Sequence, residues 1–316
     1  MDPGLKIAGM TRGRAGRQTG RRADRIDRAG LTAPRARRYS AAVPSNRGTD
    51  WSTIALLGAM YAVLVGNHLL YWSAPLPLPL HILFSVAAIH CAFTVWHEAV
   101  HRNVSDRAWV NNVVGVTGMF PYMTPYFMQK WIHLEHHKQL NRREDPNFIY
   151  IDGPFSTIVF RYLRALRYAK NLLSEDPRTP WERRADTIAV GAVGAVFVVA
   201  WWCGVFWDVV LLWLLPVVIA KVIMDWYINY LPHVGLPADR FRGTRIVAVP
   251  WFTPLVLNHN YHAIHHLWPS IPWHRYPAVF RDKLDYLRQH GVPIEYRVLG
   301  PRLPAGELGR SDSVAR

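Results

Sequence analysis

Long apolar stretches separated by polar segments dominate the pattern of this chain. Trp51–Trp72 is apolar over 22 residues, and a helix of that length spans about 33 Å, enough for a bilayer core of about 30 Å. Leu78–Trp96 predicts a second span, joined to the first by the short turn Ser73–Pro77. Thr187–Leu231 is apolar over 45 residues. One crossing does not need that length, so we expect two spans that divide near Gly204–Asp208.

The segments between these stretches predict structure at the membrane surface. Trp109–Met128 is apolar but contains two asparagines and two prolines, which indicates an interfacial or re-entrant segment rather than a clean span. Residues 129–186 are charged, and the amphipathic stretch Phe155–Leu173 is typical of a helix that lies on the membrane. The pattern therefore predicts four spans in two hairpins.

The ends of the chain differ in composition from the middle. Residues 1–48 are rich in Arg, Gly, Ala and Ser without apolar periodicity, which predicts a disordered basic extension that lacks the apolar core of a secretory signal. Residues 298–316 form a polar tail. The fold predicted for 49–297 is an all-α integral membrane domain, with four transmembrane helices and a cytoplasmic helical cap.

The distribution of charge predicts the orientation in the membrane. The chain has 37 Lys and Arg and a formal net charge of +15. Apart from Lys221, these cations lie in the N-terminal segment, in 97–186 and in 232–316, whereas Ser73–Pro77 has no charge. By the positive-inside rule, both termini and both large loops are cytoplasmic. The two outer loops are too short to hold a site. The sequence has neither a basic recognition helix nor a known nucleic-acid module, so nucleic acid is not expected as a partner.

Residue types restrict the chemistry. Cys91 and Cys203 are the only two cysteines, which excludes a disulfide scaffold, a cysteine zinc site and a cysteine-bound iron–sulfur cluster. The chain has 14 Trp, a residue that is enriched at membrane–water interfaces. Its 15 His are far more informative.

Eight of the histidines form three clusters in the segments assigned to the cytoplasm. Residues three or four apart share one face of a helix, so each cluster can direct imidazoles at a common point. Neutral imidazole suits Fe, Cu, Zn and Ni. Eight ligands exceed the needs of one tetrahedral ion, so we expect a dinuclear centre. The clusters are His97 and His101; His133, His136 and His137; and His262, His265 and His266.

Two other functions fit parts of this pattern. His97-Glu98-x-x-His101 matches the H-E-x-x-H signature of zinc metalloproteases, with Glu98 as general base and Asp152 as a conceivable third ligand. That hypothesis leaves six clustered histidines unexplained. A metal transporter would place histidine or acidic residues inside several spans, whereas these clusters lie outside them.

The order and placement of the three clusters resemble the membrane-bound fatty acid desaturase and hydroxylase superfamily, over roughly Trp51 to Tyr296. This resemblance implies an integral membrane oxidoreductase with an all-histidine, non-haem diiron centre on the cytoplasmic face and O2 as co-substrate. It also implies a lipid-soluble substrate, whose unactivated C–H bond is hydroxylated or desaturated.

Two shorter stretches carry a finer resemblance. Residues Asn260–Tyr276, and the run Asn141–Asn147 after the second cluster, are similar to bacterial carotenoid β-ring hydroxylases of the desaturase type. This similarity implies hydroxylation of a carotenoid ring. Acyl-lipid desaturases share the HHL-x-P-x-I-P outline, so fatty acyl desaturation is the alternative.

Further site residues are expected near the clusters. Glu98 and Glu135 lie inside them, where a carboxylate can accept the second ring N–H of a ligating histidine. Asn229 and His233 resemble a pair that serves the metals in some membrane desaturases, the Asn through water, and both are predicted as metal ligands. Lys221 and Asp225 lie one turn earlier and are expected to pair with each other.

The reaction implied by the resemblance requires electrons from outside the chain. The sequence contains no cysteine cluster, no haem-binding cytochrome domain and no G-x-G-x-x-G loop. A separate ferredoxin- or cytochrome-type donor is therefore expected. The basic cytoplasmic surface would attract an acidic donor, although membrane topology explains the same charge.

Overall fold

The structure is a computed structural model that describes residues 48–162 and 176–299. The basic extension before Gly48, the second half of the stretch Phe155–Leu173 and the tail beyond 299 lie outside the described residues.

Four helices are long and apolar enough to cross a membrane, and the protein is an integral membrane protein. They are α1 (Trp51–Ser73), α2 (Leu78–Val100), α6 (Pro180–Trp202) and α7 (Phe206–Tyr230). The prediction of four spans is confirmed. The remaining helices are α3 (Ala108–Met119), α4 (Tyr126–Gln139), α5 (Phe148–Ile151), α8 (Phe252–Leu255), α9 (His262–Leu267) and α10 (Tyr276–Gln289), and the strands are β1 (Ile246–Val247) and β2 (Ile294–Glu295).

Polar residues set the helix ends outside the apolar tracts. Helix α6 begins at Pro180 because Thr179 and Glu182 form a capping box, in which each side chain binds the other's backbone N–H. The long apolar tract divides at Cys203–Val205, where Gly204 has a φ of +75°, as the sequence predicts. Helix α2 continues beyond Trp96 to Val100, so His97 lies within the helix rather than after it.

Helices α3 and α4 form the segment for which the prolines and asparagines predict an interfacial or re-entrant position, and both are shorter than the four spans. The last turn of α3 and the 3-10 turn at Phe120–Tyr122 reach the spans, where their carbonyl oxygens accept hydrogen bonds. The hydroxyl of Tyr61 donates to the oxygen of Thr117, and the indole N–H of Trp213 donates to that of Pro121, both at 2.8 Å. A Cβ at Gly118 would lie 2.6 Å from Val95, so this glycine allows α3 to pack against α2.

Helix α4 carries the second histidine cluster, and Asp186 of α6 holds its N-terminus. The carboxylate of Asp186 accepts the backbone N–H groups of Phe127 and Met128 at 2.9 and 2.8 Å. Arg178 donates to the same carboxylate at 2.6 Å. These contacts satisfy donors that a helix N-terminus leaves unpaired, and they fix α4 relative to the spans.

The C-terminal part forms a cap with its own buried core, which includes Ile246, Ile264, Tyr276 and Leu287. Strands β1 and β2 pair in parallel, with Ile246 opposite Ile294. This two-residue ladder is the one departure from an all-α fold in the part of the chain that the structure describes. Helices α9 and α10 contact each other in the cap, which brings the third histidine cluster to the spans.

Candidate metal centre

Nine histidines from four parts of the fold converge at one end of the helical bundle. Helix α2 supplies the first cluster, α4 the second and α9 the third. His233 follows α7. The convergence forms two groups of four, each with its ligand atoms within 4.8 Å of one another. We call them site A (His97, His101, His133 and His265) and site B (His136, His233, His262 and His266).

The ninth histidine, His137, lies between the two sites. Its Nε2 is 2.8 Å from Nε2 of His265 in site A. Its ring stacks on that of His266 in site B, with 4.3 Å between the centroids. The two sites are therefore neighbours, as a dinuclear centre requires.

The ring nitrogens fit metal ions better than they fit each other. Six pairs of Nε2 atoms face one another at 2.8 to 3.1 Å. Two neutral imidazoles that both direct lone pairs at such distances repel, unless a proton or a cation lies between them. Imidazole nitrogens are good ligands for iron, copper and zinc. The residues present thus fit a pair of transition-metal ions.

Hydrogen bonds at the other ring nitrogens select this orientation in site B. Nδ1 of His136 lies 2.9 Å from both carboxylate oxygens of Asp145. Nδ1 of His233 lies 3.1 Å from the side-chain oxygen of Asn141. Because each acceptor oxygen receives a hydrogen bond from Nδ1–H, the proton of the neutral ring stays on Nδ1. The lone pair of Nε2 is then free to bind a metal.

The loop that supplies these acceptors is itself held in place. Both oxygens of Asp145 accept backbone N–H groups, from Asn141 and Asn147, at 2.8 Å. Asn141 adopts a φ of +59°, which asparagine tolerates better than most residues. Its amide also donates to the carbonyl oxygen of Gly243 at 2.6 Å. The loop therefore joins α4 to the cap and orients two site B histidines.

Sequence reasoning missed Asp145, Asn141 and Tyr276 as positioning residues. The hydroxyl of Tyr276 lies 3.2 Å from Nδ1 of His265. All three residues fall within stretches that resemble the family, so the signal was present. Sequence spacing does not reveal which of their side chains turn towards a histidine.

Glu98 lies beside His97 of site A, the type of position that was expected for it. The carboxylate is buried and lies 3.4 Å from Nδ1 of His97, which is long for a hydrogen bond. It accepts the amide N–H of Asn103 at 3.0 Å and the backbone N–H of Trp273 at 3.2 Å. Glu98 thus ties α2 to the cap beside site A.

Glu135 does not orient a histidine. Its carboxylate accepts hydrogen bonds from Lys138 at 2.9 Å and from Gln139 at 3.0 Å on the solvent side of α4. The hydrogen bond from Lys138 lowers the pKa of Glu135. Successive residues on a helix diverge by about 100°, so position 135 turns away from the face that carries His133 and His137.

These two glutamates give a matched pair of variants. Replacement of Glu98 by Gln is expected to lower activity by about tenfold to a hundredfold, because an amide cannot accept at both positions beside His97. Glu135→Gln is expected to change activity by less than about twofold, since the lost ion pair is exposed. Activity and iron content of purified protein check this. Equal activities of the two variants would contradict the assignment.

The polar side chains at the end of α7 agree in part with the sequence prediction. Nζ of Lys221 lies 2.7 Å from a carboxylate oxygen of Asp225, which confirms the predicted pair. The side chain of Asn229 donates to Asp225 at 2.8 Å and accepts from Asn147 at 3.1 Å. This geometry does not support Asn229 as a direct ligand, and a role through water stays a prediction.

His233 belongs to site B despite the proline before it. Its Nε2 is 2.9 Å from Nε2 of His262. The segment Asp225–Tyr230 is π-helical, so each turn holds more residues than a turn of a plain α-helix. Such turns often occur at functional sites.

Burial favours the neutral form of seven imidazoles of the centre that lie outside the spans. It lowers the pKa of His101 to about 3. It also lowers the pKa values of six others well below the usual value, and neighbouring imidazoles add to the effect. Neutral histidine is the form that binds metals. The six are His133, His137, His233, His262, His265 and His266.

A chamber of about 90 Å³ lies between the spans and site A. Phe93, Trp96 and Met224 line its apolar part, and His133 forms part of its wall. Polar side chains, Lys221 and Asn229 among them, line the opposite part. The chamber therefore places apolar side chains of the spans next to a histidine of site A.

The metalloprotease hypothesis conflicts with this arrangement. A protease needs the glutamate to activate a water at the metal, whereas Oε2 of Glu98 accepts hydrogen bonds from Asn103 and Trp273 and Oε1 faces Nδ1 of His97. Asp152, the conceivable third ligand, is exposed and belongs to neither site. His133 and His265 accompany His97 and His101 instead.

A four-span helical bundle with a histidine metal centre at one end defines a class of membrane-bound metalloenzymes. The comparison with family models identifies the family. The fatty acid desaturase model matches residues 72–298, so this chain belongs to that family. The protein is accordingly a membrane-bound oxidoreductase.

Several known proteins can be aligned with part or most of this chain. The chain is 25% identical over 255 residues to an sn-1 oleoyl-lipid 12-desaturase of Picosynechococcus sp., covering 70% of this chain and 73% of that protein. It is 35% identical over 106 residues to the protein of the same name in Anabaena variabilis, covering 32% and 29%. It is 24% identical over 254 residues to a chloroplastic omega-6 fatty acid desaturase of Spinacia oleracea, covering 70% and 56%.

Proposed function

We propose that this protein is an O2-dependent, non-haem diiron desaturase that acts on acyl chains of membrane lipids. The observation that carries the proposal is the pair of adjacent all-imidazole sites beside a chamber that apolar side chains of the spans line in part. The names of the relatives supply the substrate class. The same relatives favour acyl-lipid desaturation over the carotenoid hydroxylation that the third cluster suggested.

The nine histidines would hold two iron ions, four in each site with His137 between them. When bound, the irons would supply the redox chemistry that activates O2. Asp145, Asn141 and Glu98 hold the imidazoles in their ligating orientation, so the protein spends no free energy on rearranging them during the reaction.

The chamber would place the reacting part of the acyl chain beside site A. Phe93, Trp96 and Met224 provide apolar contact for methylene groups. The reaction removes one hydrogen from each of two adjacent carbons. O2 takes up these two hydrogens together with two electrons and two protons, and two waters are formed. Whether desaturation or hydroxylation results depends on which carbon the walls hold closest to the metals.

The positive-inside distribution of charge supports a cytoplasmic active site and cytoplasmic termini. A separate ferredoxin- or cytochrome-type protein on that side would supply the electrons. The chemistry of the donor set does not favour any other cofactor.

Expression in a host that contains both oleoyl lipids and carotenoids tests the proposal. We expect new diunsaturated acyl chains in the lipid extract, measured by gas chromatography and mass spectrometry of the methyl esters. The matched control is His133→Ala, which should give none. Pigments that gain one oxygen while the acyl chains stay unchanged would support the carotenoid hydroxylase instead. Unchanged lipids and pigments with an iron-loaded protein would contradict both.

A further inference from the structure

A second opening reaches the metal centre away from the chamber. It is a depression of about 210 Å³, which we call the basic pit. Half of the residues that line it are charged, whereas apolar and polar side chains together line the chamber. The residues that line it are His137, Lys138, Leu140, Arg142, Ala238, Asp239, Arg240 and His266.

We propose that the basic pit is the docking surface for an acidic electron-carrier protein. The inference rests on the proposed function, because that reaction consumes electrons. It adds where the carrier binds and which side chains of this chain recognise it.

The floor of the pit is the exposed edge of the metal centre. His137 and His266 are partly accessible, whereas six of the other seven histidines are buried. Their stacked rings belong to both sides of the dinuclear arrangement. Electron transfer weakens steeply with distance, so a carrier over these two rings would lie close to both metals.

The rim of the pit is cationic. Lys138, Arg142 and Arg240 are exposed. The carboxylate of Asp239 is directed into its own loop, where it accepts the backbone N–H groups of Phe241 and Arg242 at 2.9 and 2.8 Å. Complementary charge accelerates encounter and aligns partners, so the rim suits an acidic surface.

Neighbouring charges do not reverse this balance. Lys138 pairs with Glu135 at 2.9 Å but remains largely exposed. Arg242 pairs with Asp239 at 3.3 Å. Exposed Arg143 and Glu144, beside Arg142 in sequence, contribute opposite charges. The surface around the pit therefore retains more cations than carboxylates.

The two openings divide the tasks of the site. The chamber reaches His133 between apolar side chains of the spans, which suits a lipid chain. The pit reaches His137 and His266 between polar side chains, which suits a soluble protein. In the transfer itself, the reduced iron–sulfur cluster of the carrier would give one electron to the metal centre when the irons are bound. The carrier is oxidised, no bond changes, and two transfers serve one turnover.

Binding of an acidic plant-type [2Fe–2S] ferredoxin to the full chain in nanodiscs tests this inference. We expect the double variant Arg142→Glu, Arg240→Glu to raise the Kd at least about tenfold at low ionic strength. Wild-type affinity should fall as salt rises from about 20 to about 500 mM. Arg281→Glu, the same charge change on exposed Arg281 of α10, should leave the Kd unchanged.

The measurement needs no lipid turnover, so its result is distinct from that of the proposed function. Iron content verifies that the variants fold. If the charge reversal prevents folding, Arg142→Gln with Arg240→Gln should still raise the Kd about threefold. A Kd that is equal in wild type and the neutral variant, or that is insensitive to salt, would overturn the docking surface. Weaker ferredoxin binding by the variants, together with a wild type that binds ferredoxin but leaves acyl chains unchanged, would retain the surface and reject the substrate.

Discussion

Replacement of His265 by Ala is expected to reduce the iron content from about two ions per chain to one or fewer and to abolish activity. Nε2 of His265 is 3.1 Å from that of His97 and 2.8 Å from that of His137. The residue thus belongs to site A and contacts the histidine between the sites. Its loss removes one of four imidazoles from site A and leaves a cavity beside the rest.

Metal analysis and lipid analysis of purified protein check this expectation. The matched control is His81→Ala, since His81 is equally buried and bonded, with Nδ1 at 2.7 Å from Asn67. It lies about 24 Å along α2 from His97. The control should cost stability and keep two irons in the folded fraction. Full iron occupancy in His265→Ala would remove this residue from the ligand set.

Replacement of Asp145 by Asn is expected to weaken metal binding at site B by about tenfold to a hundredfold. Both carboxylate oxygens accept hydrogen bonds, from Nδ1 of His136 and from two backbone N–H groups. The amide of an asparagine has an NH2 group in place of one carboxylate oxygen. That group would face one of the N–H donors that the oxygen now accepts. The loop and the ring of His136 then lose their common anchor.

Site A supplies an internal control for this variant, because its ligands do not touch Asp145. Iron titration should show one tight and one weakened ion. A comparison with Asp282→Asn, a mostly exposed carboxylate on α10, separates the specific effect from that of removing a negative charge. Two ions of unchanged affinity in Asp145→Asn would show that His136 needs no orienting carboxylate.

Predictions from local pattern agreed with the structure where the physics is local. The apolar tracts gave four spans because burial in lipid depends on composition over about twenty residues. The break at Gly204, and the two short helices α3 and α4 in place of a clean span, followed from residues that interrupt a helix. His97 of the first histidine cluster lies inside α2 rather than after it, and His101 follows directly after the helix end. A helix continues through polar residues when tertiary contacts bury them.

Expectations about side-chain partners were less accurate. Glu135 was expected to orient a histidine, and Asp145, nine residues after His136, does so instead. The pairing of Lys221 with Asp225 was foreseen, because residues four apart on one helix meet without help from the rest of the fold. The partners of Asn229 were not foreseen, because Asn147 comes from another segment.

The sequence by itself determined the three histidine clusters that the structure brings together and the membrane-spanning character of the chain. Both follow from residue chemistry and short-range periodicity. Only the tertiary structure showed that His133 and His136, three residues apart, belong to different sites. It also brought His233 to site B and Asp145 to His136. These relations depend on how helices from distant parts of the chain rotate and pack, which no local pattern specifies.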